Sequence, residues 1–187
     1  MFPPLGCVIF LLICMPAHNR PRFARRRKML NDVAILLAED DENDIFLMGR
    51  AFDRAGIPNP LFVVRNGQEA VDYLSGTKDY AERAKFPLPG LMLLDLKMPW
   101  MDGFDVLKWM RDHQEFDLLP VVVLTSSKLQ GDIDKSRQFG VYDYRVKPNG
   151  FEDLVKLLDD VRKCWLDERF NRFCSARRPA ALKSPPV

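Results

Sequence analysis

Apolar residues come in five short runs along the chain: VAILLA at 33–38, LFVV at 61–64, LMLL at 91–94, VVVL at 121–124 and the mixed YDYRV at 142–146. Between the runs, apolar residues recur at three- and four-residue spacing, the period of a helix face. Phe46, Leu47, Ala51, Phe52 and Ala55 predict a first helix that opens in the acidic stretch Asp41 to Asp44 and stops at Gly56, with Pro58 beyond. Asn66-Gly67 reads as a turn into a short second helix. A third follows Gly103, with Phe104, Val106, Leu107 and Met110 as candidate core. A fourth lies near 129–139 and ends at Gly140. The last covers about 151–168, with Leu154, Leu157, Leu158, Val161 and Trp165 on one stripe.

Short apolar strands that alternate with helices predict a parallel sheet covered on both faces. Right-handed crossovers make this a doubly wound α/β fold, in which ligands gather beyond the carboxyl ends of the strands. The one long connection, Ser75 to Gly90 with Pro87 and Pro89, reads either as a functional loop or as a solvated one.

Charge adds an asymmetry that the net value of +2 conceals. All 26 acidic residues fall between 31 and 170, against 18 basic ones there, so the body carries −8. Residues 1–30 and 171–187 hold basic residues only. An acidic body with basic ends argues against a nucleic-acid-binding core. The four cysteines, Cys7, Cys14, Cys164 and Cys174, lack zinc-ligand spacing and fit reduced thiols in the cytoplasm.

The domain expected from these patterns is 31–168. Before it, residues 1–30 form an apolar and then basic extension. MFPPLGCVIFLLICMPA is short of the roughly 20 residues a spanning helix needs, and its basic run, RPRFARRRK at 20–28, follows the apolar stretch where a signal peptide has it first. An untranslated upstream segment with Met29 as the start, a disordered extension, a marginal membrane anchor and an unusual signal all compete. The basic, proline-rich tail 169–187 reads as disordered.

The polar residues that follow each run carry the chemistry. Glu39, Asp40 and Asp41 follow the first, Asp95 the third, Thr125, Ser126 and Ser127 the fourth, and Lys147-Pro148 the fifth. The fold brings these to one edge. Clustered carboxylates repel, and a hard cation relieves them; Mg2+ takes one or two carboxylates and keeps several waters. A lysine adds positive charge for Asp95 or an incoming anion, and the Thr125 hydroxyl can donate to that anion. A nucleophilic carboxylate, a metal, a lysine and a hydroxyl together make a phosphoryl acceptor. Each residue alone also has a structural reading: Asp95 as a strand-end carboxylate satisfied by backbone, Asp41 to Asp44 as helix-opening acids, Thr125 as a cap, Tyr144 as packing.

LLAEDD, LLDLKMPWMDG, VVVLTSS and YRVKP, in this order and spacing, resemble the response-regulator receiver domain of two-component phosphorelays. The likeness spans about 31–168, and its wording is similar to the stand-alone regulators that partner bacterial phytochromes and hybrid histidine kinases. It implies a flavodoxin-like five-stranded sheet of order 2-1-3-4-5. It implies that Asp95 is the phospho-acceptor, that Glu39 and Asp40 organise Mg2+ with Asp40 the more direct, and that Lys97 lends its backbone carbonyl to the metal. It also implies that Thr125 and Tyr144 are the switch pair, and that Lys147 pairs with the phosphoryl group through a cis Lys147–Pro148 bond. Pro99 and Gly103 match turn residues after the acceptor. Glu39 replaces a commoner aspartate, and Val141 a commoner alanine.

The expected function is a single-domain, cytoplasmic response regulator. It is phosphorylated on Asp95 by a histidine kinase or histidine phosphotransfer protein and signals to a protein target without binding DNA. Homodimerisation through the fourth helix, fifth strand and last helix is a further expectation. It is not expected to be an enzyme beyond self-phosphorylation from small donors and autodephosphorylation. The rivals are a phosphorylation-independent scaffold, which would lack one of the site residues, and a haloacid-dehalogenase-type phosphohydrolase, which wants an aspartate where Lys97 stands.

Overall fold

The computed structural model describes residues 33–166, with side chains through Cys164. The extension 1–30 and the tail 169–187 lie outside the described residues. Five strands, β1 (Ile35–Ala38), β2 (Leu61–Val64), β3 (Leu91–Leu94), β4 (Val121–Thr125) and β5 (Asp143–Val146), form one sheet of order β2-β1-β3-β4-β5. Every pairing is parallel, and Ala38 aligns with both Val64 and Leu94. Five α-helices alternate with the strands: α1 (Glu42–Arg54), α2 (Gly67–Ser75), α3 (Gly103–Arg111), α4 (Gln130–Gln138) and α5 (Phe151–Leu166).

The strand alternation divides the core into two layers. Ile35, Leu37, Leu91, Leu93, Val122 and Leu124 face one side, where Met48, Ala51 and Phe52 of α1 and Leu154, Leu158 and Val161 of α5 cover them. Leu36, Ala38, Val64, Met92, Leu94, Val121 and Val123 face the other, under Ala70, Tyr73 and Leu74 of α2 and Val106, Leu107 and Met110 of α3. β1 and β3 are buried on both faces, so they are apolar without alternation. β5 is the edge strand beside β4, with all four residues half-buried, and α4 contributes only Ser136 to the buried set.

The first helix differs from its expected core face. Phe46 and Leu47 are 64% and 40% exposed, and Met48 packs inward with Ala51 and Phe52. The phase is set by Asp41, whose side chain caps α1 by accepting from the Asn43 and Asp44 amides at 2.8 and 3.1 Å. The long connection is largely exposed but tied to the body. Arg83 donates to the Tyr73 and Leu74 carbonyls at 2.7 and 2.6 Å, the last turn of α2. Phe86 and Tyr80 pack edge-on at 5.2 Å and join Phe62 and Tyr73 in one aromatic group.

Candidate functional site

β1 and β3 are neighbours in register, so the residues that follow them emerge side by side. The Asp95 amide donates to the Ala38 carbonyl at 2.9 Å and the Glu39 amide to Val64 at 2.9 Å. Glu39, Asp40 and Asp95 each present a carboxylate oxygen, all within 4.8 Å of one another. Glu39 and Asp95 are buried and Asp40 is exposed, so the cluster has a closed floor and an open side. Asp41 is diverted to the α1 cap and does not belong to it.

Lys147 closes the site from β5. Its amide donates to the Thr125 carbonyl at 2.8 Å. Its ammonium donates to Glu39 Oε2 at 2.5 Å and Asp44 Oδ2 at 2.7 Å, and stands 3.8 Å from Asp95 Oδ2. All peptide bonds among the described residues are trans, so the expected cis Lys147–Pro148 bond is corrected. The three carboxylates and the β4 carbonyl aim the lysine instead. Asp44 was missed as a site residue because its place at the opening of α1 reads as helix chemistry. Only the folded chain shows the first turn of α1 reaching Lys147, just past β5.

Burial pushes the Glu39 carboxyl up to about 7, with Asp95 and Asp44 adding to the rise and Lys147 opposing it. Burial works against the Lys147 charge, but the hydrogen bonds to Asp44 and Glu39 and the charge of Asp95 outweigh it, so Lys147 is held above the usual lysine range. The cost of taking the Glu39 carboxylate out of water exceeds what its bond to Lys147 returns, and the repulsion from Asp95 and Asp44 is the smaller addition.

Asp95 Oδ1 accepts from the Leu96 amide at 2.8 Å, which leaves Oδ2 toward Lys147. The loop that follows is tightly held: the Gly103 amide donates to the Leu96 carbonyl at 3.1 Å, and a Cβ on Gly103 would lie 2.4 Å from the Asp95 carbonyl. Only glycine permits that approach. Lys97 and Pro99 are exposed on this loop, and Trp100 is 90% exposed with φ +64°.

Thr125 is buried at the end of β4, and its Oγ1 accepts from the Ser127 amide at 3.4 Å. It does not cap α4, whose N-cap is Leu129. Ser127 instead clamps that turn, donating to Asp132 at 2.5 Å. The Tyr144 hydroxyl donates to the Ser127 carbonyl at 3.0 Å. Thr125 and Tyr144 are therefore tied to the same loop.

A family model, response regulator receiver domain, matches residues 35–159. The chain belongs to the response regulator receiver family. This receiver is 36% identical over 132 residues to the probable methanogenesis regulatory protein FilR2 of Methanothrix harundinacea, covering 71% of this chain and 83% of FilR2. It is 32% identical over 133 residues to response regulator Rcp1 of Synechocystis sp., covering 71% and 88%. A Mn2+-bound form of Rcp1 matches the receiver with a TM-score of 0.65, 32% identity, and coverage of 73% of this chain and 96% of that one. The phosphorylated cyanobacterial phytochrome response regulator RcpA matches with a TM-score of 0.67, 32% identity, and coverage of 73% and 95%. The receiver is thus similar to stand-alone phytochrome-associated response regulators, and its described residues carry the acidic pocket and the five-stranded sheet expected of that family. No described helix is long and apolar enough to cross a membrane.

Proposed function

We propose that this receiver takes a phosphoryl group onto Asp95 from a phosphohistidine on a histidine kinase or histidine phosphotransfer protein, and that the transfer shifts the α4–β5–α5 face. The observation that carries this reading is the carboxylate of Asp95. It is buried with Glu39 and Asp40 within 4.8 Å and with the Lys147 ammonium 3.8 Å away. A strand-end aspartate serving structure alone has no need of a second buried carboxylate and a lysine.

The donor set fits Mg2+, which takes oxygen ligands and keeps waters on an open side. Glu39, Asp40, Asp95 and the Lys97 carbonyl would hold it. When bound, the ion offsets negative charge that builds on the transferring group. The residues do the rest. Asp95 Oδ2 forms the new O–P bond as the N–P bond of the donor breaks, and the bond pair stays on the imidazole, which takes a proton from solvent. Lys147 leaves Asp44 and Glu39 to pair with the phosphoryl oxygens. Thr125 donates its hydroxyl to one of them. Movement of Thr125 pulls the loop that Tyr144 grips at Ser127. α4 and β5 are the least buried elements, so they repack at least cost, and two packings shift in population.

The protein acts in the cytoplasm as a phosphoryl acceptor, with turnover limited to self-phosphorylation and autodephosphorylation. Its output is a contact with a protein target or a second copy through the α4–β5–α5 face. The test is intact-mass spectrometry after incubation with acetyl phosphate. A Mg2+-dependent gain of one phosphoryl group, absent from Asp95→Asn, is expected. No gain from acetyl phosphate or from a phosphohistidine donor would overturn the reading.

A further inference from the structure

The loop after Asp95 has a second anchor that the acceptor chemistry does not use. The Gly67 amide, the first of α2, donates to the Met101 carbonyl at 3.0 Å. The first amides of a helix lack partners within it, so the start of α2 supplies a free donor and the acceptor loop supplies its acceptor. Contact is close: a Cβ on Gly67 would lie 2.4 Å from Met101 O, 2.8 Å from Met101 Cγ and 2.9 Å from Met101 C. Backbone cannot yield as a side-chain tip can. Gly67 has no positive φ, so the glycine is not required by the turn itself. It is required by Met101.

The α2 side of this contact is rigid. Asn66 caps the helix by accepting from the Glu69 amide at 2.8 Å, and Glu69 in return accepts from Asn66 Nδ2 and the Arg65 amide, each at 2.9 Å. The acceptor-loop side is short. Only Lys97 to Met101 lie between the Gly103 anchor on Leu96 and the Asp102 cap of α3, and the Met101 amide also donates to the Pro99 carbonyl at 2.8 Å. Trp100 at φ +64° is held in a backbone region that costs a non-glycine residue free energy. Such strain persists where neighbouring contacts over-determine the turn, and the Gly67–Met101 bond is one of them.

We propose that Gly67 is a positioning residue for the metal site: its amide, and the absence of its Cβ, hold Met101 so that the turn carrying the Lys97 carbonyl stays against Asp95. The proposal rests on the phosphoryl-acceptor reading above. Removing a partner that orients a metal ligand weakens metal affinity by about 10- to 100-fold.

The test uses the full chain and Mn2+ as the probe, with hydrogen exchange of the 97–103 amides as a readout independent of metal. Gly67→Ala should weaken Mn2+ binding about tenfold and speed exchange across 97–103. Ser75→Gly, at the exposed last residue of α2, lowers helix propensity at the far end of the same helix and should leave both within twofold. If Gly67→Ala binds Mn2+ within twofold of the wild type, or if Ser75→Gly loses as much, the positioning role is overturned. Should Gly67→Ala not fold, Met101→Gly loosens the latch from the other side without a clash. It should weaken Mn2+ binding and speed exchange, and no change overturns the proposal. Wild-type protein that binds no Mn2+, or binds it undiminished as Asp40→Asn, sinks the metal site itself and the proposal with it. That failure shows in proteins with Gly67 intact, so the two are told apart.

Discussion

The Lys147 ammonium donates to Glu39 Oε2 at 2.5 Å although Asp95, the proposed acceptor, stands at 3.8 Å. The lysine is therefore held by Glu39 in this structure, and the burial of Glu39 outweighs the attraction of that lysine. Its carboxyl sits near 7, against an ordinary 4.5. The folded state then holds a proton on Glu39 that the unfolded state has released, between roughly pH 4.5 and 7. Stability from this group is full below 4.5 and is lost as pH rises through 7. The expected loss is on the order of 3 kcal/mol. Thermal melts between pH 5 and 8 should slope downward in the wild type and flatten in Glu39→Gln. Mg2+ favours the carboxylate, so its affinity should rise across the same window; an affinity that falls with pH contradicts the assignment.

Asp44 holds Lys147 at 2.7 Å and is 39% exposed. Replacing it with asparagine weakens one of the two bonds that Lys147 must break to reach a phosphoryl group. Asp44→Asn should cost less than about 1 kcal/mol of stability, because the pair is partly solvated. It should speed phosphorylation by acetyl phosphate about fivefold, the worth of one hydrogen bond. Stopped-flow or timed intact-mass measurements decide it, and a slower rate would mean that Asp44 assists the transfer.

Tyr144 is joined to the β4–α4 turn by one bond, to the Ser127 carbonyl at 3.0 Å. Tyr144→Phe keeps the ring and removes that bond, at a cost of about 1 kcal/mol. Asp95 should still be phosphorylated at an unchanged rate. The change in hydrogen exchange over 126–140 on phosphorylation should shrink by half or more. A full response in the variant would take Tyr144 out of the switch.

Trp100 combines φ +64° with 90% exposure, so its side chain offers little packing to set against backbone strain. Trp100→Gly should stabilise the fold by about 1 kcal/mol, a rise of about 3 °C in melting temperature. A drop would reveal packing by the indole that its exposure does not suggest.

Arg83 fastens the 76–90 connection to the end of α2 through Tyr73, Leu74 and the Phe86 carbonyl. Arg83→Ala should cost about 2 kcal/mol, since these bonds are charge-assisted and part-buried. Limited proteolysis should move to residues 77–89, while metal affinity at the opposite edge stays as it was. Equal resistance to protease would show that the aromatic group of Phe62, Tyr73, Tyr80 and Phe86 holds the segment unaided.

Much of this molecule can be read from local pattern. The runs at 61–64 and 91–94 coincide with β2 and β3; β3 is buried on both faces and has to be apolar throughout, and β2, half-buried at the other edge, is apolar as well. Gly56 and Gly140 mark where α1 and α4 stop, both with positive φ. The expected meeting of Glu39, Asp40, Asp95 and Lys147 follows from strand order alone, since residues just past parallel strands share one edge. The phase of α1 was not legible in the same way. Phe46, Leu47 and Met48 are consecutive and apolar, and pattern cannot choose which of them faces the sheet; the Asp41 cap and the packing of α5 do.

Sequence by itself therefore determined the elements, their parallel arrangement and the residue types at the carboxyl edge, because strand burial and helix periodicity are local physics. Tertiary structure alone decided three things. It set the hydrogen bonds of Lys147 on Glu39 and Asp44 and left Asp95 the longer ion pair, it tied Tyr144 to Ser127, and it left Gly67 no room for a side chain beside Met101. Each is a contact between elements far apart in the chain. Its partner is chosen by distance and competing charge after the sheet has assembled, which no window of sequence contains.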